Sequence, residues 1–119
     1  MCDRKDRTIE PEPFAITRNT LDAAEVVTIV GELDMAHAPA VGDLLDELAG
    51  SGNPIVVDLT ALSFIDSSGI HALLRPRPQE ATFELVCPAG NVRRVLEVTK
   101  LERVLRVHDT LDEALAAAA

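Results

Sequence analysis

The chain has 119 residues, enough for one domain with a real core and too few for two. Hydrophobic residues make up 47% and charged residues 26%, an ordinary globular balance, and with three Phe and no Trp or Tyr the core has to be aliphatic. A formal charge of −9 speaks against a nucleic-acid binder, which needs a basic stripe with Lys and Arg in numbers.

The first 13 residues mix charge with Pro11 and Pro13 and show no periodicity, which predicts a flexible leader before a folded domain over 14–119. Residues 14–17 and 25–33 have β-branched and apolar character and flank the turn-like segment 18–22, so they predict a hairpin. Over 36–50, Val41, Leu44, Leu45 and Leu48 recur at offsets of three and four, with Asp43, Asp46 and Glu47 between them. This is the pattern of an amphipathic helix, and Gly50-Ser51-Gly52-Asn53-Pro54 stops it. The nearly all-apolar run 55–59 then predicts a parallel central strand covered on both faces.

After the serine pair Ser67-Ser68, Ile70, Ala72, Leu73 and Leu74 predict a short second helix that Pro76 and Pro78 end. A strand over 82–87 follows, then a helix opening at Asn91 with Val92, Val95, Leu96 and Thr99 on one face. Residues 104–107 return to strand, and Asp109 or Thr110 caps a last helix over 111–118. Strands alternating with helices imply an α/β layer fold.

No apolar run approaches the roughly 20 residues of a membrane span, and the start Met-Cys-Asp-Arg-Lys-Asp-Arg lacks the apolar stretch of a signal peptide. Cys2 and Cys87 give no disulfide framework, so a reducing, cytoplasmic location is the expectation. Charge is unevenly spread: no Lys or Arg lies between Arg18 and Arg75, an interval holding Asp22, Glu25, Glu32, Asp34, Asp43, Asp46, Glu47, Asp58 and Asp66. One side of the molecule is therefore expected to be strongly negative, either as a solvated surface or as a face that steers a basic partner.

Chemistry concentrates where the apolar run leads through Asp66 into Ser67-Ser68-Gly69. A hydroxyl at a helix start sits beside unpaired N–H groups and the positive end of the helix dipole, so a phosphate on one of these serines would be held well. Spacing alone is equally met by ordinary capping. Gly69 suits a close helix–sheet approach, and Asp58, inside an apolar strand, reads as a hydrogen-bonded structural carboxylate. Ser67 and His71 stand four apart beside Asp66, but such a pair rarely aligns as nucleophile and base. With no Gly-x-Ser-x-Gly elbow, no enzyme is predicted. His37, His71 and His108 share no ligand spacing, so no metal or cofactor is predicted.

Three segments together resemble a known family: Gly31-Glu32-Leu33-Asp34, Ile55-Val56-Val57-Asp58-Leu59 and Leu62-Ser63-Phe64-Ile65-Asp66-Ser67-Ser68-Gly69. In order and separation they are similar to the sulphate transporter and anti-sigma factor antagonist (STAS) domain, over roughly 14–116. Residues 92–101 and Val107-His108-Asp109 resemble that family's third helix and last strand. The resemblance implies an α/β fold: a single STAS-like domain with a mixed central β-sheet of four to five strands and about four helices packed mainly on one side.

It also implies a cytoplasmic anti-sigma factor antagonist, a monomer or weak dimer that binds neither nucleic acid nor membrane. Unphosphorylated, such a domain binds an anti-sigma factor, often a serine kinase of histidine-kinase-like ATPase fold, and a sigma factor is freed. Phosphorylation ends the binding, and a serine phosphatase belongs to the cycle. By this resemblance Ser67 is the phosphoacceptor, and Glu32, Asp34, Asp66, Ser68, Gly69 and His71 belong to the partner-binding face. Asp34 equally suits a cap for the helix beginning near Ala36.

The alternative within the family is a scaffold or accessory subunit of a signalling assembly or lipid-transport complex, without phospho-regulation. Two features depart from the family pattern. His71 stands where a small residue is common, ready to meet a phosphate when protonated or simply exposed. The second helix, cut off by Arg75-Pro76-Arg77-Pro78, is about two turns shorter than the family's, so the binding surface has changed.

Overall fold

In a computed structural model that describes residues 14–77 and 82–119, the predicted hairpin forms with a tighter turn. Strands β1 (Ala15–Leu21) and β2 (Ala24–Leu33) pair antiparallel from Ala15↔Val30 to Leu21↔Ala24. Only Asp22 and Ala23 intervene, at φ 51° and 66°, the positive values that a two-residue hairpin turn requires. Residues 18–21, read as turn from their polarity, are strand because β1 is an edge strand and its polar side chains face solvent. The leader expected over 1–13, and Pro78, lie outside the described residues.

β2 serves two partners in succession. Glu25 to Thr28 pair parallel with β3 (Ile55–Asp58), and Gly31 to Leu33 pair parallel with β4 (Leu62–Ile65). The register shifts between Gly31 and Glu32, where Gly31 takes φ 98°, a conformation that glycine adopts without a steric cost. Gly31 thus sits in a bulge within the strand, and the Ser63 hydroxyl donates to its carbonyl at 3.1 Å.

Two further parallel strands, β5 (Phe83–Val86) and β6 (Arg106–His108), complete a mixed sheet. Its main order is β1-β2-β3-β5-β6, five strands as the resemblance implies, with the sixth, β4, beside the end of β2. β4 escapes sequence reading because only Leu62 and Ile65 are buried while Ser63 and Phe64 are exposed, which breaks the period of two.

Helices α1 (Ala38–Ala49), α2 (Ser67–Leu74) and α3 (Asn91–Val98) cover one face of the sheet, and α4 (Leu111–Ala118) covers the other. The larger core joins Val27, Ile29, Val57 and Leu85 to Val41, Leu45, Leu73 and Leu96. The smaller sets Val26, Val56 and Val86 against Ala114 and Ala118. Alternate residues of β3 face opposite layers, so this strand is apolar throughout.

A 3₁₀ turn at Leu101–Arg103 delays the last strand, which starts at Arg106, two residues beyond the predicted 104. Thr110, not Asp109, caps α4: its hydroxyl accepts the Glu113 N–H at 3.2 Å, and the Glu113 carboxylate accepts the Asp109 N–H at 3.2 Å.

Candidate functional site

Two parallel strand ends deliver the site. Leu33 of β2 pairs with Ile65 of β4, and the Asp66 N–H donates to the Leu33 carbonyl at 3.2 Å. The next residues, Asp34 and Asp66, therefore leave the sheet side by side, with Glu32 one step back opposite Phe64.

Asp66 is extended (φ −112°, ψ −173°) and is the N-cap of α2. Its Oδ1 accepts from the Ser68 N–H at 2.9 Å and the Gly69 N–H at 3.1 Å, and its carbonyl accepts from the Ile70 N–H at 3.0 Å. The sequence reading of this helix start needs correction here: the amide donors offered to a phosphate are already held by the Asp66 carboxylate. The anion that suits the helix dipole is built in.

Ser67 is the first helical residue, exposed, and its hydroxyl has no hydrogen-bond partner among the described residues. Ser68 is half-buried. Gly69 is buried, and a Cβ there would stand 2.8 Å from the Leu33 carbonyl oxygen, the Leu33 Cγ and the Ile65 Cγ1. Gly69 thus seats α2 on the sheet from beneath the surface and offers a partner no side chain.

Asp34 holds a turn instead of capping a helix near Ala36. Its carboxylate accepts the Ala36 N–H at 3.1 Å and meets His37 Nδ1 at 3.0 Å, while its carbonyl accepts from His37 and Ala38. Helix α1 starts two residues later than predicted, with Pro39 in its first turn, where a missing N–H is harmless. The Phe14 ring stacks on His37, with centroids 3.9 Å apart and planes 7° off parallel. Asp58 has the structural role read from the sequence: it accepts from the Thr60 N–H at 3.0 Å and the Thr60 hydroxyl at 2.6 Å.

Between the start of α1 and the outer side of α2 runs an open groove of about 280 Å³, lined by Met35, Ala38, Pro39, Ser68, His71 and Ala72. Met35 is 75% exposed, an unusual position for so large an apolar side chain. Exposed His71 forms part of one wall, and Arg75 closes the far end. Met35, Ser68 and His71 therefore share a surface, with Ser67 one turn ahead of His71 on α2 and with Asp34 and Asp66 just before the two helices.

The short α2 has its own terminator. Arg77 turns back and donates through Nη1 to the carbonyls of Leu73 (3.1 Å) and Arg75 (3.0 Å), and through Nη2 to that of Ala72 (2.9 Å). These satisfy carbonyls that a helix end leaves without partners. Its guanidinium carbon lies 5.4 Å from the Phe83 ring centroid, and its Nε is 3.0 Å from the Asp46 carboxylate. That last contact is an ion pair without hydrogen-bond alignment. Burial pulls the Arg77 pKa below the usual arginine value, against the opposing pull of Asp46.

Arg75 reaches α1 as well, bonding Asp43 at 2.9 Å and Asp46 at 2.7 Å. The negative interval thus receives counter-ions from just beyond its end, while Arg18 reaches Glu25 and Glu47 at 3.7 and 3.8 Å. Of the acids in that interval, Glu25, Asp43, Asp46 and Glu47 face an arginine and Asp34 faces His37, while Asp22, Glu32, Asp58 and Asp66 have no ion-pair partner among the described residues. Sequence reasoning took Arg75-Pro76-Arg77 only as a stop. Basic residues just past a helix end are the signal that could have exposed the clamp.

The family model for the STAS domain matches residues 15–114. The chain belongs to the STAS domain family. This STAS domain is 28% identical over 109 residues to RsfB, an anti-sigma-F factor antagonist of Mycobacterium tuberculosis, covering 88% of this chain and 89% of the relative. A solved anti-sigma factor antagonist from Mycobacterium paratuberculosis matches with a TM-score of 0.81 at 28% identity, over 89% of this chain and 94% of that one. SpoIIAA, an anti-sigma factor antagonist solved in its unphosphorylated form, shares the fold with a TM-score of 0.68 at 23% identity, over 87% of this chain and 95% of its own. Among the described residues of this STAS domain, no helix is long and apolar enough to cross a membrane.

Proposed function

We propose that this STAS domain is a cytoplasmic anti-sigma factor antagonist whose docking is switched off by phosphorylation of Ser67. The observation that carries this reading is the exposed Ser67 hydroxyl, without a partner among the described residues, on a helix start whose cap is already complete. The name of the RsfB relative supports the antagonist role. Unphosphorylated, the surface of Met35, Ser67, Ser68 and His71, flanked by Glu32, Asp34 and Asp66, binds an anti-sigma factor that is also a serine kinase of histidine-kinase-like ATPase fold.

The domain is substrate, not catalyst. The kinase transfers the terminal phosphoryl group of ATP to Ser67 Oγ: the Oγ–P bond forms, the phosphoanhydride bond breaks, the hydroxyl proton leaves, and ADP is released. A serine phosphatase reverses the state by hydrolysis. The phosphate brings about −1.5 to −2 charges. Because Asp66 holds the amides of Ser68 and Gly69, this charge stands outward beside a carboxylate. Repulsion and desolvation oppose docking, while the internal cap keeps α2 in place.

Affinity capture from the native cytoplasm tests the reading. The unmodified protein recovers the ATPase, the phosphorylated form does not, and Ser67→Ala binds but takes up no phosphate. Phosphorylation persisting unchanged in Ser67→Ala would falsify the acceptor assignment. Recovery of a transport ATPase instead would favour the accessory-subunit role.

A further inference from the structure

We propose that the outer side of α3 and β4 is a second docking surface, one that takes an acidic amphipathic helix of a partner protein. Two side chains mark it: Val98, 73% exposed, and Phe64, 47% exposed. A groove of about 240 Å³ runs along α3 past Asn91, Arg94, Val95, Val98 and Thr99. A second, of about 130 Å³, shares Asn91 and Val95 and continues over Phe64 of β4. Neither shares a lining residue with the groove beside Ser67.

Charge selects the occupant. The acids of this region are engaged by Arg93, which lies 3.8 Å from Glu97, 2.8 Å from Glu102 and 3.0 Å from Asp109. Arg94, Lys100 and Arg103 are exposed and have no ion-pair partner among the described residues. In a chain of net charge −9, the apolar groove is thus lined by Arg94 and followed at its Thr99 end by Lys100. A helix with apolar residues at offsets of three and four and carboxylates along its flanks matches both features. The eight residues of α3 span about 12 Å, room for two turns of such a helix.

An anionic membrane fits less well, because the net charge repels it. A second copy fits less well too, because its acidic helices α1 and α4 already bury their apolar faces against the sheet.

The test titrates the isotope-labelled full chain with two synthetic helical peptides of identical leucine spacing, one flanked by Glu and one by Lys. The Glu peptide shifts the amides of Phe64, Asn91, Val95 and Val98 and leaves Ser67 and His71 unmoved, with binding that weakens in salt. Val98→Ser and Arg94→Glu, both at exposed positions, each weaken it about tenfold. Equal binding of the Lys peptide overturns the proposal, as do shifts centred on Ser67. So does binding to phosphatidylserine vesicles with no response to the Glu peptide. Shifts of the same amides with protein concentration alone would point to a second copy and overturn it too.

Discussion

The two ends of α2 are finished by opposite means. At the N-terminus one residue, Asp66, satisfies the amides two and three positions ahead of it, and the neighbouring Ser67 hydroxyl is left over. At the C-terminus the carbonyls wait for Arg77, which also binds Asp46 of α1 and lies near Phe83 of β5. A locally closed end is free to carry a modification, because nothing distant depends on the leftover group. A tertiary end cannot change without moving its neighbours, so the proposed switch and the clamp are segregated along one short helix.

Four substitutions would break or sharpen this contrast. The largest effect belongs to the free hydroxyl: Ser67→Asp lowers affinity for the anti-sigma factor about a hundredfold by calorimetric titration, since juxtaposed like charges cost several kcal/mol. The melting temperature of that variant stays at the wild-type value, and a fall of several degrees would show that the N-terminal end is not locally closed.

Gly69→Ala comes next. Its Cβ meets the Leu33 carbonyl oxygen at 2.8 Å, and overpacking against backbone destabilises the domain by about 2 kcal/mol in urea unfolding. Arg77→Ala follows, at about 1.5 kcal/mol, because the α2 carbonyls lose a charged donor and Asp46 loses an ion-pair partner.

Asp66→Ala is the mildest, at about 1 kcal/mol for a lost N-cap. It also makes the sharpest comparison: with the amides vacated, a phosphate on Ser67 can take them. Phosphorylation then raises the melting temperature of Asp66→Ala and leaves that of the wild type unchanged. Equal responses in the two proteins would refute the idea that Asp66 excludes the phosphate from the helix end.

Much of the fold was legible because its signals are local. The period of Val41, Leu44, Leu45 and Leu48 marked α1, and the unbroken apolar run at β3 announced a strand buried on both faces. β4 was not legible: its four residues bury only two, and it is a strand because the bulge at Gly31 turns the end of β2 toward it. The site divides the same way. Asp66-Ser67-Ser68-Gly69 showed a cap, a hydroxyl and a close approach in consecutive residues. Met35 and His71 gave no sign of sharing a groove, because they lie on different elements brought together only by packing.

Taken alone, the order of residues determined the alternation of strands and helices, the aliphatic core and the helix start that bears Ser67. Each depends on neighbours within a few positions, where backbone geometry dictates which groups meet. Tertiary structure decided the rest: which carboxylates keep their charge exposed, how the shortened α2 is closed, and that the amides beside Ser67 are already taken. Those outcomes depend on distances between separate elements and on which of several competing partners reaches a donor first, and residue spacing carries neither.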